Sequence, residues 1–333
     1  MARQVRIEYE GAFYHVMARG DRREAIVRSE KDRSDFVETM GRACERTGWR
    51  VHGWVLMTNH YHWLIETPRA NLVDGMRWFQ NTYTRRFNVR NGQWGHVFGG
   101  RYKAVVLDAW EGNGFYFETL LDYIHLNPVR AGLVDVDEGN GILDYQWSSL
   151  RQSYAVAPSD RPSWVEVSNG LGVKQRADTV SGRREYVEAL EQRARAEGER
   201  AGIPELGQQS LQSTLRRGWY WGGQALKEKL LKTNVGSTGE SNRDYRLSDQ
   251  GRERVEDRAE KLVVEVLDDV GLRECDLAML KGSDPRKVEV AARLCDKTTV
   301  SQAWIARRLH MRSAGNVSQQ LYRQRRREEA CEE

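Results

Sequence analysis

Residues 50–67, RVHGWVLMTNHYHWLIET, contain two runs, 50–57 and 60–67, rich in aromatic and β-branched residues and bounded by turn or polar residues. Each reads as a strand. Upstream, GAFYHVMAR at 11–19 has the same character, and downstream AVVLDA at 104–109 supplies a fourth strand. Between them the apolar period changes to that of helices. Phe36, Met40 and Cys44 recur every fourth residue within 31–47, and Leu72, Met76, Phe79, Tyr83 and Phe87 share a face within 71–89. A further helical pattern covers 113–126. The order β-α-β-β-α-β-α is the split ferredoxin-like arrangement with an added C-terminal helix, an α+β fold.

The whole chain has 333 residues, enough for two or three domains. With 39% hydrophobic and 30% charged residues it reads as globular, which excludes a disordered or fibrous chain. No apolar run reaches the roughly 18 residues of a membrane helix, and the start MARQVRIEYE lacks the layout of a secretory signal. A cytoplasmic, nucleoid-associated protein without a membrane partner is expected. Cys44, Cys275, Cys295 and Cys331 are far apart and form no C-x-x-C pair, so reduced thiols are expected rather than a zinc ribbon or disulfide framework.

Beyond Trp147 the chain becomes more polar. Residues 151–232 read as a helical extension, with helices at 182–197 and 222–232, and the Gly-, Ser- and Thr-rich run TNVGSTGESNR at 233–243 places a linker over 233–250. Residues 251–333 read as wholly helical. There 286–295, 300–309 and 314–326 follow one another, and the last two, joined by a short turn and ending in a basic run, have the form of a helix-turn-helix.

Two motifs carry chemistry. In Asn59-His60-Tyr61-His62-Trp63, residues two apart on a strand face the same way, so His60 and His62 can present two imidazoles to one metal ion. In Tyr123-Ile124-His125-Leu126-Asn127-Pro128, residues four apart on a helix are neighbours, so a phenol and an amide can address one point. Taken singly, the pattern also accommodates solvated histidines at a sheet edge, a core tyrosine and an asparagine capping a short final turn.

In this order the motifs resemble the HUH single-tyrosine transposases. The segment YIHLNPVRAG, with FYHVMARG, HGWVLMTNHYHWLIETP and RYKAVV, resembles the REP-associated tyrosine transposase branch over roughly residues 5–150. The resemblance implies a nuclease domain over 1–150 in which His60, His62 and Asn127 bind Mg²⁺ or Mn²⁺ and Tyr123 is the nucleophile. Insertion-sequence members often carry glutamine at the place of Asn127. The implied activity is single-strand cleavage and strand transfer on hairpin-bearing DNA through a 5′-phosphotyrosine, by a monomer or by a homodimer that exchanges tyrosine helices. The alternative is a non-catalytic, sequence-specific DNA-binding regulator on the same scaffold. No P-loop supports a replication initiator.

Charge placement points to nucleic acid, although the net charge is only +4. Between 69 and 107, Arg69, Arg77, Arg85, Arg86, Arg90, Arg101 and Lys103 face the single acid Asp74, with Trp78, Phe79, Tyr83, Trp94 and Phe98 interleaved. Arg77, Arg85, Arg86, Arg101 and Lys103 are the candidate single-strand contacts. From 301 to 327 there are seven arginines and no acid. On the proposed last helix Val317 and Leu321 would face inward, leaving Asn316, Gln319 and Arg323 for contact with flanking duplex DNA.

Overall fold

The computed structural model describes residues 7–112, 114–136, 141–199, 219–235 and 246–332. The chain divides into two compact units, Met1–Cys44 with Gly48–Gly239, and Glu45–Thr47 with Glu240–Glu333. In the first, β1 (Ala12–Arg19), α1 (Glu30–Thr47), β2 (Arg50–Leu56), β3 (His60–Thr67), α2 (Leu72–Asn91), β4 (Lys103–Leu107) and α3 (Phe115–His125) follow the order read from the sequence. Then come the one-turn α4 (Asn127–Arg130), α5 (Ser168–Val173), α6 (Val180–Glu199), β5 (Tyr220–Trp221) and α7 (Gln224–Val235).

The sheet order is β2-β3-β1-β4-β5. β1 lies antiparallel between β3 and β4, as a split βαβ pair requires. The two-residue β5, parallel to β4, is an addition that the sequence pattern did not suggest. Local signals set the helix ends. Ser29 and Asp32 form a reciprocal capping box that starts α1, and Gly48, at φ 75°, ends it.

Both faces of the sheet are covered, because strand residues alternate between two apolar layers. Tyr14, Val16, Tyr61 and Trp63 pack with Phe36, Met40, Phe79 and Tyr83 of α1 and α2. Phe13, Leu64, Val105 and Leu107 pack with Phe117, Leu120, Leu121 and Ile124 of α3 on the other side. Register fixes what else faces α3. His15 and Met17 share the face of Phe13, Met17 stands opposite His62 on β3, and Arg19 stands opposite His60.

The residues after 147 hold α3 in place. Asp122, fully buried, is met by Lys174 at 2.9 Å and by Arg193 of α6 at 2.5 Å. His125 is bracketed by the Tyr186 hydroxyl at 3.0 Å and Ser149 Oγ at 2.9 Å, and Ser149 also accepts from the Trp54 amide on β2. Gly53 permits the close packing of helix on strand, since a Cβ there would lie 2.6 Å from Leu121 Cδ1. The extension over 151–232 therefore contributes to the first unit, which reaches Gly239.

The second unit contains α8 (Arg246–Asp269), α9 (Asp276–Met279), α10 (Pro285–Lys297), α11 (Gln302–Arg308) and α12 (Ala314–Glu332) around Val263, Val266, Leu294, Ile305, Leu309, Val317 and Leu321. Val317 and Leu321 face inward, as their spacing predicts. The buried Lys287 ammonium draws three carbonyls together, those of Leu277, Leu280 and His310, at 2.9, 3.2 and 3.2 Å. The linker expected over 233–250 needs correction at both ends: α7 continues to Val235 and α8 begins at Arg246, while 236–245 lie outside the described residues. The polar composition of 246–250 hides its helical period.

Candidate active site

His60 and His62 lie at the start of β3 on the face that looks at α3, with ring centroids 5.1 Å apart and planes at 89°. Tyr123, in the last turns of α3, sets its ring edge-on to His62 at 5.4 Å. Asn127, one turn on, has its side chain close enough to act on both His60 and Tyr123. The helical i, i+4 spacing and the strand i, i+2 spacing thus bring four side chains to one place. Pro128 does not break the backbone there. It occupies the first turn of α4, where a missing N–H costs nothing.

Neighbouring groups fix the imidazoles. Asn59 Nδ2 donates to the Arg23 carbonyl at 3.1 Å, which turns Oδ1 towards His60 to accept from Nδ1 at 2.7 Å. The proton of a neutral His60 is thereby on Nδ1, and Nε2 keeps its lone pair. His62 Nδ1 lies 2.9 Å from Nε2 of His15, and the two rings are stacked at 5.0 Å. Burial keeps all three neutral, pushing His15 down to about 3, His60 to about 4 and His62 well below the usual imidazole value. Neutral imidazole is the form that ligates a metal. Among the described residues no three His, Cys, Asp or Glu side chains converge on one point. The candidate set is two imidazoles and one amide.

Three cations surround these groups. Arg19, opposite His60, acts electrostatically on His60, His62 and Tyr123. Arg130 lies over the Tyr123 ring at 5.4 Å and pairs with Glu197 at 2.8 Å. Lys103, opposite Met17 on β4, acts on His15. Burial raises the Tyr123 phenol above its usual value, and Arg130, Arg19 and Asn127 oppose that rise. His125 belongs to the buried Ser149 and Tyr186 chain instead.

His15 and Arg19 escaped the sequence reading. The signal was present, since both alternate with Phe13 and Met17 in the first strand, and the split βαβ order sets that strand beside the histidine strand. The candidate DNA contacts divide. Arg77, Arg85 and Arg86 lie on α2, in the layer across the sheet from His62. There Arg77 pairs with Asp74 at 3.1 Å and Arg86 with Glu38 at 3.1 Å, while Arg85 is exposed. Lys103 lies on the site's face of the sheet, and Arg101 is exposed just before it. In the second unit Gln319 and Arg323 are exposed along α12, and Asn316 is half-buried with its Oδ1 turned inward.

Comparison with known proteins bears on the same segment. No curated protein matches the chain. A solved structure described as the REP-associated tyrosine transposase bound to a REP hairpin is similar over 48% of this chain and 90% of its own, at 17% identity and a TM-score of 0.38. The family described as transposase, IS200-like, matches residues 8–127, a span that contains His60, His62, Tyr123 and Asn127. The part of the chain that builds the site, residues 8–127, is thus the part that is similar to the IS200-like transposases.

Proposed function

We propose that the protein is a metal-dependent single-strand DNA endonuclease and strand transferase that cleaves hairpin-bearing DNA through a covalent 5′-phosphotyrosine at Tyr123. The observation that carries this reading is the convergence of Tyr123, His60, His62 and Asn127 on one sheet face. The family gives the coarser statement, a transposase-like role in processing DNA.

The residues fit a divalent cation. Both Nδ1 atoms are engaged, by Asn59 and by His15, so both Nε2 atoms remain for an ion, and Asn127 adds an amide oxygen. A Mg²⁺ or Mn²⁺ ion held by these three groups would polarise a non-bridging phosphate oxygen. Tyr123 Oη then forms the bond to phosphorus while the bond to the 3′ oxygen breaks, and the leaving oxygen takes up a proton. The exchange conserves an ester bond, so the reverse attack by a 3′-hydroxyl rejoins a strand without ATP. Arg19 and Arg130 favour the phenolate electrostatically and can meet the phosphate charge. Asp122, Lys174 and Arg193 keep α3 against the sheet and so hold Tyr123 at its position beside His62.

In this reading α11 and α12 form a helix-turn-helix that engages flanking duplex DNA through Gln319 and Arg323, with Asn316 at the entry of the helix. The exposed arginines Arg307, Arg312, Arg323, Arg326 and Arg327 support it. The decisive experiment incubates full-length protein with end-labelled hairpin DNA and Mn²⁺ and separates the products under denaturing conditions. A labelled covalent protein–DNA adduct is expected. Free DNA alone, at any metal concentration, would favour the non-catalytic regulator.

A further inference from the structure

A solvent-facing rim adjoins the site and, apart from Arg19, has no part in the chemistry derived above. Residues 19–24, which follow β1, and the loop 93–101, which precedes β4, run side by side. Asp21 N donates to the Val97 carbonyl at 3.0 Å, and Gly99 N donates to the Arg19 carbonyl at 2.9 Å. The approach is close enough that a Cβ on Gly99 would lie 3.3 Å from Asp21 Cα. Asn59 joins the rim to the site, holding the Arg23 carbonyl with one end of its amide and His60 with the other.

The loop buries its own apolar residues, with one exception. Val97, Phe98 and Tyr102 are buried, and Phe98 packs on Tyr61 and Tyr83, whereas Trp94 is 92% exposed. An indole held in water on an anchored loop is a large apolar surface without a folding role. On the other segment of the rim, Arg22 and Arg23 are both held at positive φ, 50° and 65°, a conformation that side-chain-bearing residues rarely adopt. Both are exposed, as are Arg19 and Arg101. Among the described residues none of the four has a carboxylate partner, although Asp21 and Glu24 are exposed on the same turn. By contrast, Arg77, Arg86 and Arg90 of α2 are tied to Asp74, Glu38, Asp32 and Asp35. Arginine freed from carboxylates together with an exposed aromatic face matches single-stranded nucleic acid, whose phosphates need cations and whose unpaired bases need a stacking surface.

We propose that this rim is a cradle for the single-stranded DNA next to the cleaved phosphate, with Trp94 stacked on a base and Arg22 and Arg23 on phosphates. The assignment rests on the DNA-cleaving reading of the neighbouring site. Arg19, between rim and site, leads the strand to Tyr123.

The test measures binding of full-length protein by fluorescence anisotropy to a DNA hairpin carrying a single-stranded flank and to the same hairpin without it. Trp94→Ala should weaken binding of the flanked hairpin about tenfold and leave the blunt hairpin unchanged, and Trp94→Phe should restore most of the loss. The double substitution Arg22→Gln/Arg23→Gln should lower the log–log salt slope for the flanked DNA by about 0.7 for each phosphate that is no longer neutralised. Wild-type affinity of Trp94→Ala for the flanked hairpin, or an equal loss on both DNAs, would overturn the cradle. The two proposals fail separately. Flank binding that depends on Trp94 without a covalent adduct removes the cleavage reading alone, and an adduct with no effect of Trp94 removes the cradle alone.

Discussion

The ring of Tyr123 meets that of His62 edge-on, with centroids 5.4 Å apart and planes at 89°. This contact sets the phenol beside the histidine pair of its own chain. Tyr123→Phe keeps the ring and removes only the hydroxyl, with its interaction with Asn127. The variant is expected to fold and to give no covalent adduct with labelled hairpin DNA. Undiminished adduct would assign the nucleophile elsewhere.

The proposed metal dependence is tested at the two imidazoles. His60→Ala and His62→Ala should each abolish cleavage while hairpin affinity remains within about threefold of wild type, since affinity is expected to come from phosphate and base contacts elsewhere. EDTA should reproduce the effect, and added Mn²⁺ should reverse it. Cleavage at the wild-type rate in excess EDTA would give the histidines another task.

A positioning role for His15 is a prediction that activity alone would not test. Its Nε2 lies 2.9 Å from His62 Nδ1, so it can accept the Nδ1 proton and leave Nε2 of His62 for an ion. His15→Phe removes the acceptor and keeps a ring in the stack. Mn²⁺ affinity, read by EPR of the free ion, should fall roughly 10- to 100-fold. His15→Gln, whose amide oxygen can accept the same proton, should recover part of it. Equal Mn²⁺ affinity in wild type and His15→Phe would show that His15 only fills space.

The acid limb of stability should report on His125. Burial pushes its pKa down to about 3, with Ser149 and Tyr186 on its nitrogens and the Lys174 charge nearby. A histidine with a lowered folded pKa binds more protons when unfolded, so stability is lost as pH falls from about 6.5 towards 3. His125→Gln should be less stable than wild type at pH 7, and the gap in Tm should narrow by pH 5. A constant gap over that range would mean that His125 does not titrate on unfolding.

Much of this architecture was legible because strand and helix periods dominate residues 11–126. The four strands lie where aromatic and β-branched runs placed them, and i, i+2 and i, i+4 spacing anticipated that His60 and His62 would share a face, as would Tyr123 and Asn127. What stayed hidden depends on neighbours distant in the chain. The basic face of α2 read as a DNA surface, yet Glu38, Asp32 and Asp35, supplied by α1, take up Arg86 and Arg90. The partners of Asp122 arrive 52 and 71 residues later, from Lys174 and Arg193. A two-residue strand such as β5 is too short for any period.

Arg323 tests the C-terminal helix. It is exposed on α12, two residues after the buried Leu321, with Gln319 exposed one turn before it. Because the packed side of the helix is carried by Val317 and Leu321, Arg323→Gln should leave folding intact. If the side chain meets a phosphate of flanking duplex, the log–log dependence of affinity on salt should fall by about 0.9. Cleavage of a short hairpin lacking that duplex should be unchanged, which separates binding by this helix from chemistry at Tyr123. Gln319→Ala should instead alter preference among duplex sequences with little change in the salt slope, since an uncharged side chain releases no counterion. Salt titrations of the two variants and wild type on hairpins with and without the duplex arm distinguish these outcomes. Identical slopes and affinities throughout would make α12 a protein-contact or solvent-facing helix with no part in DNA binding.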